Sequence, residues 1–103
     1  MNYNKVFLLG RLTKDSELRD NELRFGIATN KTWTNKDGSK GEDVEFHNCV
    51  LKGKRADILF KYLKKSVLVF VEGSLHTRTW EKDGQPRKTI EIEVQEIQKA
   101  PAF

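Results

Sequence analysis

Alternation of apolar and polar residues divides the chain into five strand-like segments and one helix-like segment. The fourth strand-like segment, Ser66–Trp80, is the most apolar. Val67, Val69 and Val71 point one way and Leu68 and Phe70 the other, so both faces require cover. Gly73 interrupts it, as at a bulge or sharp bend, and beyond it the sequence turns basic and aromatic at Arg78 and Trp80. The first segment, Lys5–Leu12, is doubly apolar too, with Val6, Leu8 and Leu12 on one face and Phe7 and Leu9 on the other. Asp15–Glu22 is polar and turn-like, with a tight connection expected at Arg19-Asp20-Asn21-Glu22. In the second strand Leu23, Phe25 and Ile27 alternate with Arg24, Gly26 and Ala28 and lead toward Trp33. The stretch 34–42 has no apolar residue and two glycines, which predicts a long, mobile hairpin loop. The third strand, Asp43–Lys52, places Val44, Phe46, Asn48, Val50 and Lys52 on one face and Glu45, His47, Cys49 and Leu51 on the other.

Lys54–Lys64 carries Ala56, Ile58, Leu59, Tyr62 and Leu63 at helical spacing without glycine or proline, which predicts one short amphipathic helix. Asp83-Gly84 marks a hairpin turn before the last strand, where Ile90, Ile92 and Val94 form an inner face against Thr89, Glu91, Glu93 and Gln95. Three strands, a helix and two strands match an all-β protein of the OB type, a five-stranded Greek-key barrel with one short α-helix between strands 3 and 4. With 103 residues the chain is expected to form a single domain, 1–103, with an ordered core over about 4–98 and a short tail at 99–103.

The longest apolar run, Val67–Val71, is far short of the roughly 18 residues that span a bilayer. The N-terminus lacks a basic-then-apolar signal pattern, so an intracellular, cytoplasmic protein with no membrane partner is expected. The single cysteine, Cys49, excludes an internal disulfide framework and reads as a buried thiol. A net charge of +4 favours an anionic partner. Lysines and arginines gather at Lys52, Lys54, Arg55, Lys64 and Lys65, and again at Arg78, Lys82, Arg87 and Lys88. Catalysis, metal and cofactor find no support, since neither histidine nor the cysteine has the spacing of a zinc site or nucleophile motif. His47 reads as a hydrogen-bonded histidine of the interior or of a subunit interface.

Asn4-Lys5-Val6-Phe7-Leu8-Leu9-Gly10-Arg11-Leu12, Ala28-Thr29-Asn30 leading to Trp33, Glu45-Phe46-His47-Asn48, Tyr62-Leu63-Lys64-Lys65 and Val71–Trp80 resemble the bacterial single-stranded DNA-binding protein family. The resemblance is collinear from residue 4 to about 97. It implies an OB-fold, assembled as a homotetramer, that wraps single-stranded DNA without strong sequence preference in replication, recombination or repair. The aromatics agree with that role, because a flat side chain at a strand end stacks on any unstacked base. Trp33 and Trp80 each close a strand before a polar, glycine-containing loop, and the resemblance adds Phe46 as a third stacking position. It also assigns phosphate contacts to Lys5, Lys36, Lys54, Lys64, Lys65 and Arg78, while Lys52 joins them by sharing the strand face of Phe46. The outer faces of the two doubly apolar strands, Phe7 and Leu9 with Leu68 and Phe70, are the expected oligomer interface, with His47 beside them; the helix covering one of these strands is the alternative.

The chain departs from the family pattern in several places. Lys52 stands where an aromatic is frequent, Asn48, Thr34 and His76 stand where basic residues are frequent, and the connection between the first two strands is shorter. The sequence ends Lys-Ala-Pro-Ala-Phe, without the glycine-rich linker and acidic tail through which the family recruits replication and repair proteins; a short natural form and a chain cut to its core are both open. An RNA-binding OB module and an OB-type protein-interaction subunit of a replication or restart complex are the alternative functions.

Overall fold

The computed structural model describes residues 1–100, so the expected tail lies outside the described residues from 101 onward. The elements in order are β1 (Val6–Leu12), β2 (Glu17–Arg19), β3 (Glu22–Thr34), β4 (Lys40–Lys52), α1 (Lys54–Leu59), β5 (Leu68–Lys82) and β6 (Gln85–Lys99). Five strands close a ring in the order β1-β5-β6-β4-β3, and β1 returns to β3 through Arg11–Ala28 and Leu12–Ile27. Only β4 and β6 run parallel, pairing Cys49 with Ile92 and Val50 with Glu93. This is the expected OB barrel, with its helix between the third and fourth barrel strands.

Inward-pointing residues fill the barrel as their alternation dictates. Leu12, Leu23, Phe25, Ile27, Cys49, Leu51, Val69, Val71, Ile92 and Val94 form one buried cluster, joined by Ala56 of α1 and by Leu63. Each enclosed leucine, isoleucine or valine contributes about 1.5–3 kcal/mol relative to exposure, so this inward face orders the strands. The Cys49 thiol lies among them, and burial pushes its pKa up to about 12, so it stays protonated at neutral pH. Gly10 lets β1 approach β3 closely, since a Cβ there would run into the Ala28 carbonyl and Ile27. At Gly73 a Cβ would meet the Glu93 carbonyl, and the register slips by one residue between Glu72 and Gly73, leaving Gln95 unpaired on β6. The bulge expected at Gly73 is therefore present, with the extra residue on the partner strand.

Four expectations are corrected. The polar stretch 15–22 is not all turn, because Glu17–Arg19 forms β2 and pairs with the start of β3 across Asp20-Asn21, both in the left-handed region at φ 52 and 61. That is the backbone of a two-residue hairpin turn, for which Asp and Asn are suited. The long loop expected over 34–42 is shorter, since pairing runs out to Thr34–Lys40, Lys40–Glu42 belong to β4 and only 35–39 form the turn. Asn35 donates across it from its backbone N–H to the Ser39 carbonyl at 2.8 Å and from its Nδ2 to Ser39 Oγ at 2.9 Å, and Ser39 donates to Asp37, holding that carboxyl below its ordinary pKa. The helix ends at Leu59 rather than Lys64; the Tyr62 and Leu63 amides turn back to the Leu59 carbonyl, which buries Leu63 and leaves Ile58 and Tyr62 exposed. Ile90 continues the inward parity of β6 but is 64% exposed, because the β5–β6 hairpin projects past the barrel end.

Candidate nucleic-acid interface

Two long hairpins extend from the barrel and carry the tryptophans. Trp33 pairs with Gly41 near the end of the β3–β4 ribbon, and Trp80 pairs with Arg87 near the end of the β5–β6 ribbon. The second ribbon turns at Asp83-Gly84, φ 54 and 74, as the Asp-Gly pair predicts. Trp33 is 42% exposed; its Nε1 donates to Asn35 Oδ1 at 2.9 Å, and the Lys31 ammonium lies 6.0 Å from its ring. The indole occupies the space above Gly41, where a Cβ would collide with three of its ring atoms. Gly41→Ala is therefore expected to displace the indole and reduce fluorescence quenching of Trp33 by bound oligonucleotide, with circular dichroism unchanged. Unaltered quenching would show that the seat over Gly41 is not needed.

Phe46 lies opposite Ala28, is 70% exposed, and shares a face with Val44, Asn48, Val50 and Lys52 as strand parity requires. The β4–β6 and β5–β6 pairings carry this outer face onto Glu91 and Thr89 of β6 and onto His76, Arg78 and Trp80 of β5. The structure thus brings Phe46, Lys52, Arg78 and Trp80 to one outer surface. Trp33 has the opposite parity, that of Ile27 and Thr29, and stands beyond the barrel on the other side of its ribbon. On the same strands, two positions from Phe46 and from Trp80, Asn48 and Arg78 line an open cleft of about 310 Å³ together with Lys14, Glu17, Arg24, Thr89 and Glu91.

The cations differ in how free they are. Lys36, Lys52, Lys54, Lys64 and Lys65 are exposed, Lys36 in the β3–β4 turn, Lys54 opening α1, and Lys64 and Lys65 in the connection that follows it. Lys64 also lies 5.1 Å over the Phe60 ring. Lys5 is more engaged than its assignment implies: its ammonium donates to Gln95 Oε1 at 3.3 Å and lies 3.8 Å from the Glu72 carboxylate. Arg78 spreads its guanidinium 5.1 Å over the Trp80 ring while its Nε lies 3.6 Å from Glu91 Oε2.

Pattern reading missed Arg24 and Glu91. Glu91 lies on the polar side of the last strand and reads as a solvated acid, yet it is 5% exposed and accepts a hydrogen bond from Arg24 Nη1 at 2.9 Å. Arg24 is paired with Glu22 as well. Burial works against the Arg24 charge, but the Glu91 hydrogen bond and the attraction of both carboxylates outweigh it and raise the pKa. A signal for half of this was present: counting outward from the Asp83-Gly84 turn sets Glu91 opposite His76 and diagonal to Arg78.

Away from this surface, Phe7, Leu9 and Phe70 are exposed on the outer face of β1 and β5, with Leu68 half-buried beside them. The Phe7 and Phe70 rings stack at 6.2 Å with a 27° interplanar angle, and Leu9 pairs directly with Phe70. His47 lies on β4 with inward parity, pairs with Ile27, is half-buried and shares a hydrogen bond of 2.8 Å with Thr29 Oγ1, so the hydrogen-bonded character expected of it is present within the single chain. Among the described residues no group of three or more His, Cys, Asp or Glu is placed to hold a metal ion.

A closed five-stranded OB barrel whose outer face displays separated aromatics between cations defines a class of oligomer-binding barrels. The comparisons narrow it. The Single-strand binding protein family profile matches residues 3–100, and this chain belongs to that family. It is 38% identical to the single-stranded DNA-binding protein of Neisseria meningitidis over 94% of its own length and 59% of the relative's, so it spans less than two thirds of that relative. In structure it resembles Plasmodium falciparum SSB in a complex with ssDNA, with a TM-score of 0.85 and 28% identity, covering 98% of this chain and 97% of the other. The single-stranded DNA-binding protein of Thermus aquaticus, as a deletion mutant, superposes with a TM-score of 0.82 and 31% identity, over 96% of this chain and 51% of the other.

Proposed function

We propose that this protein binds single-stranded DNA without sequence preference and protects it during replication, recombination or repair. The observation that carries this reading is the shared outer face on which exposed Phe46 and Trp80 stand with Lys52 and Arg78. Bases splayed from a single strand stack on Phe46, Trp80 and Trp33, each worth about 1–3 kcal/mol, and the phosphates lie against Arg78, Lys52, Lys54, Lys64, Lys65 and Lys36. Lys5 contributes less, because binding a phosphate costs it Glu72 and Gln95. The names borne by the relatives support the same reading. It implies a cytoplasmic, nucleoid-associated protein working beside replication and repair enzymes.

The same proposal includes self-association, most simply as a homotetramer. Among the described residues no second layer covers the apolar patch of Phe7, Leu9, Leu68 and Phe70. Competition tests the ligand class. An oligothymidylate labelled with a fluorophore should be displaced readily by unlabelled single-stranded DNA of mixed sequence and poorly by duplex DNA. Preferential displacement by RNA would favour an RNA-binding module, and no binding of any of the three would favour a protein-interaction subunit.

A further inference from the structure

The buried carboxylate of Glu91 sits where a DNA-binding surface is least expected to hold one. Its Oε2 takes a hydrogen bond from Arg24 at 2.9 Å and lies 3.6 Å from Arg78 Nε, while Arg24 is itself fixed by Glu22. Glu91 is thereby held in place from the β3 side and reaches toward β5. The β5–β6 register explains the direction: Glu91 stands opposite His76 and Arg78 opposite Thr89, so Arg78 leans one pair back toward the barrel to meet the carboxylate. In that posture the Arg78 guanidinium lies 5.1 Å over the Trp80 ring.

Resting on the single-stranded DNA reading above, we infer that Glu91 is a positioning residue for the stacking platform: it tethers Arg78 against one face of the Trp80 indole, so that a base stacks on the other. An arginine on a projecting hairpin has wide rotamer freedom, and so does the indole it covers. Both must be ordered when a base arrives, and ordering them beforehand lowers the cost of binding. A carboxylate serves as tether because Arg presents a planar fork that one buried oxygen can orient without hiding its remaining N–H donors from a phosphate. Arg24, itself paired with Glu22, keeps that oxygen satisfied whether or not Arg78 is engaged with the nucleic acid.

The sign of one substitution separates this role from that of a mere counter-ion. Glu91→Gln removes a negative charge from an anion-binding face and raises the net charge above +4. As a counter-ion only, its loss tightens binding and steepens the salt dependence. As a tether, its loss weakens binding by about 3- to 10-fold, the ordering cost of one side chain. The experiment is a fluorescence titration with oligothymidylate in a Trp33→Phe background, which leaves Trp80 as the single tryptophan of the two in the chain. Expected are weaker binding and diminished Trp80 quenching in Glu91→Gln. Equal or tighter binding would overturn the inference while leaving the function intact, whereas failure of the parent protein to bind oligothymidylate would overturn both. Should Glu91→Gln not fold by circular dichroism, Arg78→Lys decides, because it keeps the charge at an exposed position but loses the planar fork. Its salt slope should be unchanged with quenching reduced, and undiminished quenching would overturn the inference.

Discussion

Replacing Trp33 and Trp80 together by alanine is expected to weaken binding of oligothymidylate by about 2–6 kcal/mol, the sum of two stacking platforms at about 1–3 kcal/mol each. The two side chains stand on separate hairpins, Trp33 over Gly41 and Trp80 under Arg78, and neither belongs to the buried cluster that fills the barrel. Their contributions should therefore add, as they do for sites with no shared partner. Fluorescence anisotropy of a labelled oligomer at fixed salt measures the loss, and an unchanged circular-dichroism spectrum separates it from unfolding. A double variant that binds within twofold of the parent would remove both tryptophans from the interface. One that loses its folded signal would make them structural.

The second large effect is expected at the outer face of β1 and β5. Phe70→Glu places a carboxylate beside Phe7, whose ring stacks on Phe70 at 6.2 Å, and opposite Leu9. Fully burying a phenylalanine or leucine contributes about 1.5–3 kcal/mol, so three exposed members of this patch hold much of the energy available for association. An uncompensated charge in their midst costs several kcal/mol once buried. Light scattering at micromolar concentration should give the parent protein four times the 12.0 kDa chain mass and the variant a smaller assembly. A parent protein of one chain mass would contradict the tetramer, and a variant of unchanged mass would move the interface elsewhere.

The barrel was legible because two-residue periodicity is a direct image of which face is enclosed. Leu23, Phe25 and Ile27 alternate and are buried, and the double apolarity of β1 and β5 correctly marked Phe7, Leu9 and Phe70 as residues the barrel would leave outside. Turn chemistry was equally direct at Asp83-Gly84 and Asp20-Asn21. Polar stretches read poorly for the same physical reason. Thr34 and Lys40–Glu42 carry no apolar side chain, so only their cross-strand hydrogen bonding reveals them as strand. The helix was overextended because Leu63 continues its spacing while being buried from a turn. Within the interface, Phe46 and Lys52 share a face as parity alone requires. The Arg24–Glu91 pair joins residues 67 positions apart, on strands that are not neighbours in the ring, and no local pattern encodes it. The inward parity of His47, shared with Cys49 and Leu51, was legible in the alternation, whereas its hydrogen bond to Thr29 joins two strands and was not.

The central claim is that exposed aromatics and cations on one barrel bind single-stranded DNA by stacking and phosphate neutralisation together. Titration of the intrinsic tryptophan fluorescence with poly-dT, repeated over a range of salt concentrations, tests it most directly. The account predicts strong quenching to a defined stoichiometry, and an affinity that falls with a log–log slope of about −0.7 for each phosphate neutralised. Unquenched fluorescence on binding, or an affinity indifferent to salt, would contradict it.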